Sequence, residues 1–281
     1  MLAALIIVFR EAIEAGLIVG IVLAASAGIA QRGRWVGMGV AGGILGACVV
    51  AVFAGRIASL FSGSGQEIFN ATILLLAVVM LAWHNVWMAG HGREMARHMK
   101  SVGAAVSAGE RPLAALAIVV GVAVLREGSE VVLFLYGIAQ TATRASMLAG
   151  GAFGLLAGAA MSALIYYGLL TIPAGKLFRT TAWLITLLAA GMAAQAVLFL
   201  QNAGYLNVLT GSLWDTSWLL PDGGEGWRGI LGKMLRTLVG YTAAPDGAQL
   251  IAYLATIAAI VGLMRWERNR RPRGTLIATP A

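Results

Sequence analysis

Seven runs of mostly apolar residues, at roughly 2–29, 35–56, 67–91, 113–141, 145–170, 180–202 and 246–265, leave little room for any fold but a bundle of membrane-spanning helices. A helix crosses the hydrocarbon core with about 20 such residues, and each run reaches that length. Composition agrees, because 11% of the residues are charged where a soluble domain carries about 25%. A water-soluble fold is excluded. The expectation is an all-α polytopic membrane protein of about seven transmembrane helices in a single domain covering 1–281.

The formal charge of +8 invites a nucleic-acid partner until its distribution is read. Arg32 and Arg34, the Arg93–Arg111 segment, Lys176 and Arg179, and the tail from Arg265 to Arg273 hold thirteen of the twenty Lys and Arg. The alternate connections hold five, namely Arg56, Arg144, Arg228, Lys233 and Arg236. Positive charge marks the cytoplasmic side, so the N-terminus is expected outside, the C-terminus in the cytoplasm, and no nucleic-acid reading is needed. The first eight residues are apolar and are followed by Arg10, Glu11 and Glu14, unlike a cleaved signal peptide, which begins with a basic region. A single cysteine, Cys48, excludes an intramolecular disulfide and covalent haem attachment and reads as a small buried hydrophobe.

The remaining two basic residues lie inside helices, each in the same short pattern. Phe9 to Gly20 reads FREAIEAGLIVG and Leu125 to Gly137 reads LREGSEVVLFLYG, so Arg-Glu-x-x-Glu occurs twice at an offset of 116 residues, with three predicted spans beginning at each copy. Three is odd, so the second copy enters the membrane from the opposite side, which is the inverted-repeat arrangement of many transporters, with sites at the repeat interface near mid-membrane. The expected units are repeat 1 over 1–92, repeat 2 over 113–203, an outer loop over 204–245, and a seventh helix with a basic tail over 246–281. In the outer loop, Ile230, Leu231, Met234, Leu235 and Leu238 recur at helical spacing between Arg228, Lys233 and Arg236, as in an amphipathic helix lying on the membrane surface.

An intramembrane charge costs on the order of 3 kcal/mol on insertion scales, so six in two helices need a compensating reason. The i to i+3 spacing puts Glu11 with Glu14, and Glu127 with Glu130, on one helix face, while Arg10 to Glu14 and Arg126 to Glu130 are spaced to pair along the helix. Facing one another, the motifs offer four carboxylates offset by two arginines. Such hard oxygens suit Fe³⁺, Mn²⁺, Mg²⁺ or Ca²⁺ and not Cu⁺. An interhelical salt-bridge lock and a set of proton-coupling carboxylates remain open alternatives.

Other polar residues carry weaker signals. His84, His91 and His98, spaced by seven, line one face of a continuous helix and could mark an exit path, although chance spacing, with His84 a hydrogen-bonded interior residue and the others cytosolic, explains them better. Tyr136, Gln140, Gln195 and Gln249 are interior candidates for lining a pathway or for ordinary hydrogen bonds between helices. Gln195 falls where a weak echo of the third span puts the counterpart of His84. Met80, Met88, Met95 and Met99 read as packing, and Asp215, Asp222 and Glu225 as solvated loop charge or metal capture. An intramembrane hydrolytic or di-metal enzyme would want His-Glu-x-x-His or Glu-x-x-His, and the chain has neither.

With Arg10-Glu11-Ala12-Ile13-Glu14 and Arg126-Glu127-Gly128-Ser129-Glu130, the chain resembles the oxidase-dependent high-affinity iron permease family, the bacterial EfeU-type and fungal members. Their hallmark is Arg-Glu-Gly-Leu-Glu in the first and fourth helices. The charged positions match, and the middle pair departs in both copies. WDTSWLLPDG from Trp214 and GYTAAPDGAQLIAYL from Gly240 extend the likeness over the whole chain. The resemblance implies a permease of the bacterial inner membrane, not an enzyme and without a permanent cofactor. It implies uptake of Fe³⁺ supplied by a ferroxidase or a periplasmic iron-binding protein, with Glu11, Glu14, Glu127 and Glu130 as metal ligands and Arg10 and Arg126 tuning their charge. A proton-linked carrier of Mn²⁺ or Ca²⁺ is the rival use of the same carboxylates.

Overall fold

Away from water a backbone can satisfy its amides and carbonyls only within helices or closed barrels, and the apolar runs of this chain take the helical course. A computed structural model describes residues 1–60, 66–139, 143–168, 174–221 and 227–270. Among these it contains eight α-helices: α1 (Leu2–Ala25), α2 (Arg32–Leu60), α3 (Gln66–Ser107), α4 (Ala114–Ala139), α5 (Arg144–Tyr166), α6 (Ala174–Asn202), α7 (Trp227–Val239) and α8 (Gly247–Arg270). Five stretches, Arg32–Arg56, Glu67–Met88, Arg144–Tyr166, Arg179–Asn202 and Gly247–Glu267, are long and apolar enough to cross a membrane. The other two long helices, α1 and α4, have 24 and 26 residues and differ in carrying the three charges of a motif at their centres.

Helix α3 departs from expectation by running unbroken for 42 residues, well past the predicted end near 91. Met99, Val102 and Val106 recur along one face of the extension and are buried, Met99 and Val106 in a cluster with Val22, Val36, Leu116 and Val120. That packing keeps the polar stretch after Trp87 helical. The expected amphipathic helix is present as α7, with Ile230, Leu231 and Met234 exposed as an interfacial helix requires. Its connection to α8 is tied down by Leu213 N to Pro245 O at 2.9 Å and Thr216 N to Ala243 O at 2.8 Å, and Asp246 caps α8 through Gln249 N at 2.7 Å. Cys48 is exposed, contrary to the buried reading, beside the likewise exposed Ile44, Leu45, Val49 and Val52.

Helix α1 packs along α5 and α2 along α4, while α3 lies against α6, which also receives α8. Glycine makes the first two contacts close. A Cβ at Gly43 would lie 2.7 Å from Gly121 O, and one at Gly154 would lie 2.5 Å from Leu5 O, so only glycine permits these backbone approaches. Positions 5 and 121 are separated by the same 116 residues as the two motifs. Changing Gly43 or Gly154 to Val should therefore lower the thermal unfolding midpoint of the detergent-solubilised protein, by overpacking worth about 1–3 kcal/mol or more. Gly42→Ala, at a position with open space around it, should leave the midpoint in place; equal shifts would contradict this packing.

Two apolar clusters bracket the helix centres. One joins Ile7, Leu81, Phe134, Ile185 and Ile260, and the other joins Val22, Met99, Leu116, Val120 and Val124. Along α1 and α4 the charged residues of the motifs fall between them, and on α3 His84 does.

Candidate functional site

Helices α1 and α4 meet each other and α3, and the Arg-Glu-x-x-Glu segments sit midway along the first two. Each motif pairs along its own helix as the spacing requires: Arg10 Nε lies 2.9 Å from Glu14 Oε1, and Arg126 Nε lies 3.1 Å from Glu130 Oε1. Arg10 Nη1 is also 3.7 Å from Glu11 Oε1. Arg10, Glu11, Glu14 and Glu127 are all buried.

His84 of α3 enters between the two motifs. Its Nε2 lies 3.9 Å from Glu11 Oε2 and 3.8 Å from Glu14 Oε2, and its Nδ1 contacts Glu130 Oε2. The ring stands edge-on to Phe134, with centroids 6.2 Å apart. One imidazole thus touches carboxylates of both motif helices. Two sets of side chains bring ligand atoms within 4.8 Å of one another: Glu11, Glu14 and His84, and Glu11, Glu127 and Glu130. Glu11 belongs to both, so the sets form one cluster.

The cluster holds more carboxylate than cation. Both carboxylate oxygens of Glu11 and of Glu14, Oε2 of Glu127 and of Glu130, both ring nitrogens of His84, and Arg10 Nε and Nη1 are buried and held by ion-pair contacts at most, without a well-directed hydrogen bond. Buried polar atoms are otherwise nearly always satisfied, and buried charges are paired or bind metal. Four carboxylates against two guanidiniums give the cluster a formal charge of −2 when the imidazole is neutral. A cation held among these oxygens, with one ring nitrogen, would offset that charge.

A cavity of about 460 Å³ adjoins the second motif, lined by Val79, Met80, Trp83, His84, Trp87, Arg126, Glu130 and Phe134. Trp87 was not singled out in the sequence, although it lies one helical turn from His84. The Arg126 guanidinium carbon is 4.0 Å from the Trp87 ring centroid, and His91 stacks on the same indole at 4.9 Å with an interplanar angle of 4°.

The remaining pathway candidates among the described residues do not line this cavity. Tyr136 points its hydroxyl at Ala51 O of α2, 3.5 Å away. Gln195 is half-buried on α6 and does not line the cavity, His98 is exposed, and Gln140 lies outside the described residues. Of the outer acidic residues, Asp222 and Glu225 also lie outside them. The Asp215 carboxylate accepts the Ser217 amide at 2.8 Å, and hydrogen bonds from Ser217 hold it below the usual carboxylate range, as in a turn cap.

An all-helical chain with several membrane-crossing helices and a buried carboxylate cluster between them is a membrane transporter in its class. The chain belongs to the iron permease FTR1 family, whose model matches residues 1–270. It is 30% identical over 268 residues to the ferrous iron permease EfeU of Escherichia coli O6:H1, covering 92% of this chain and 94% of that protein. To the EfeU of Shigella sonnei it is 30% identical over 265 residues, covering 91% and 92%, and to that of Yersinia pestis 29% over 252 residues, covering 88% and 87%. No solved structure matches.

Proposed function

We propose that the chain carries iron across the bacterial inner membrane through one central site, in which Glu11, Glu14, Glu127, Glu130 and His84 hold the ion and Arg10 and Arg126 balance the charge. The observation that carries this reading is the convergence of four carboxylates and one imidazole, whose ligand atoms fall within 4.8 Å of one another in two sets that share Glu11, against two guanidiniums. A salt-bridge lock built on the arginines accounts for this convergence poorly, because both pair within their own helix; His84 is the side chain seen touching both motifs.

Seven spans, with α1 and α4 included, form two inverted three-helix units and an added α8. The exchange of partners supports this layout: α1 lies on α5 as α4 lies on α2, through close contacts at positions 116 residues apart. With the N-terminus outside and the C-terminus inside, the apolar clusters on either side of the charged layer act as outer and inner barriers. Iron passes when one parts while the other stays closed, being handed from carboxylate to carboxylate between the motifs. A periplasmic iron-binding protein or a ferroxidase supplies the ion from outside, and the ion is cargo, with no resident cofactor.

The hard oxygen ligands favour Fe³⁺. A specific observation favours Fe²⁺ as a second reading, since the cluster charge of −2 is neutralised by a divalent ion and the imidazole is a borderline ligand. Equilibrium dialysis of the purified protein tests the site. Iron should bind stoichiometrically, and Glu14→Gln or Glu127→Gln should weaken binding by about a hundredfold, as loss of one buried charged partner implies. Equal binding of Mn²⁺ or Ca²⁺ in competition would move the reading to a carrier of those ions, and unchanged affinity in both variants would remove the carboxylates from it.

A further inference from the structure

The two motif arginines hold equivalent positions in the sequence and different ones in the structure. Arg10 is 3% exposed and wedged between Glu11 and Glu14. Arg126 is 31% exposed on the cavity wall, with its guanidinium over the Trp87 indole. Among the described residues Arg10 has no ring facing it. The difference is written in α3 and α6. Gly43 and Gly154 make corresponding close contacts, with Gly121 and Leu5, at an offset of 111 residues, and the same offset sets His84 against Gln195 and Trp87 against Leu198. At these two positions only α3 supplies an imidazole and an indole, the indole of α6 being Trp183.

Arg126 reaches Glu130 through Nε alone, at 3.1 Å to Oε1, and Glu130 Oε2 is left facing His84. A free guanidinium beside a carboxylate tends to take both oxygens in a forked pair. Stacking on an aromatic face is a competing arrangement that guanidinium, weakly hydrated and planar, adopts readily. The indole is itself fixed, because His91 stacks on it and His91 Nδ1 lies 3.1 Å from Trp87 O.

We propose that Trp87 is a positioning residue that holds Arg126 to its single contact with Glu130, through Nε and Oε1, so that Glu130 Oε2 stays with His84 and the cavity side of the cluster is left to the incoming iron ion. This rests on the iron-site reading above. Without the seat, the guanidinium takes both oxygens of Glu130 in a forked pair and competes with the cation. Arg10 is then the fixed counter-charge and Arg126 the adjustable one.

The test is uptake of ⁵⁵Fe into proteoliposomes by Trp87→Leu, Trp87→Phe, Trp87→Tyr, Arg126→Lys and the Trp87→Leu/Arg126→Lys pair. A cation–π contact of this kind is worth about tenfold in affinity. Trp87→Leu should therefore raise KM about tenfold with Vmax within about twofold. Tyr and Phe should restore most of the loss, Tyr the better, and the double variant should be no worse than the poorer single one. Should Trp87→Leu fail to fold, Trp87→Phe alone decides, with a KM a few-fold above wild type expected. A wild-type KM in the deciding variant, a loss confined to Vmax and equal in all three, or additive losses in the double variant would overturn the proposal. Glu14→Gln, run alongside, separates the failures: if it transports like wild type, the iron site itself is wrong; if it is inactive while the deciding Trp87 variant keeps a wild-type KM, only the seat is wrong.

Discussion

His84→Ala is expected to abolish high-affinity iron binding and to destabilise the protein together. His84 is placed to touch Glu11 and Glu14 on α1 and Glu130 on α4, so its loss leaves carboxylates of two helices facing a void. Removing one partner from a buried charged set costs about 3–5 kcal/mol, and losing a ligand adds at least about a hundredfold in affinity. His84→Gln keeps a polar side chain of similar reach and should regain much of the thermal stability while binding iron poorly. Thermal unfolding and iron dialysis on the same preparations read the two effects separately. Wild-type iron affinity in His84→Ala would show that the imidazole is no part of the site.

The second large effect concerns the arginines and stability. Arg10 is almost wholly buried between two carboxylates, whereas Arg126 is partly open to the cavity beside one. Arg10→Gln should therefore cost about 3–5 kcal/mol, as for an uncompensated buried charge, and leave little folded protein. Arg126→Gln should cost about 1 kcal/mol, nearer the value for an exposed pair. Yield of monodisperse protein and the unfolding midpoint measure the contrast, and equal losses would mean that the two halves of the cluster are buried alike.

Much of the centre was legible because its chemistry is local. Arg-Glu-x-x-Glu on a helix fixes which charges share a face, and the pairs Arg10 with Glu14 and Arg126 with Glu130 follow from 3.6 residues per turn. The spacing of Ile230, Leu231 and Met234 likewise fixed α7 as a surface helix. What depended on packing between helices was not legible. The histidine spacing pointed to a row along α3, while the structure uses His84 at the centre, stacks His91 on Trp87 and leaves His98 exposed, because only His84 lies at the level where α1 and α4 face each other. Cys48 was misread because a helix apolar on every side carries no periodicity to tell its inward flank from its outward one. Close-packing glycines did carry that signal: Gly39 and Gly43 turn α2 toward α4, and Gly150, Gly154 and Gly158 turn α5 toward α1. The length of α3 was also within reach, in the stripe of Met95, Met99, Val102 and Val106, but the charges between them favoured a loop.

Uptake of ⁵⁵Fe into proteoliposomes, with Fe³⁺ and Fe²⁺ supplied separately, tests most directly whether iron crosses through this cluster. The wild-type protein should take up iron, and Glu14→Gln and Glu130→Gln, one from each motif helix, should each abolish uptake, with the accepted oxidation state identifying the species carried. Iron flux that neither substitution changes would contradict a pathway through the paired motifs and leave the six charges with a structural role alone.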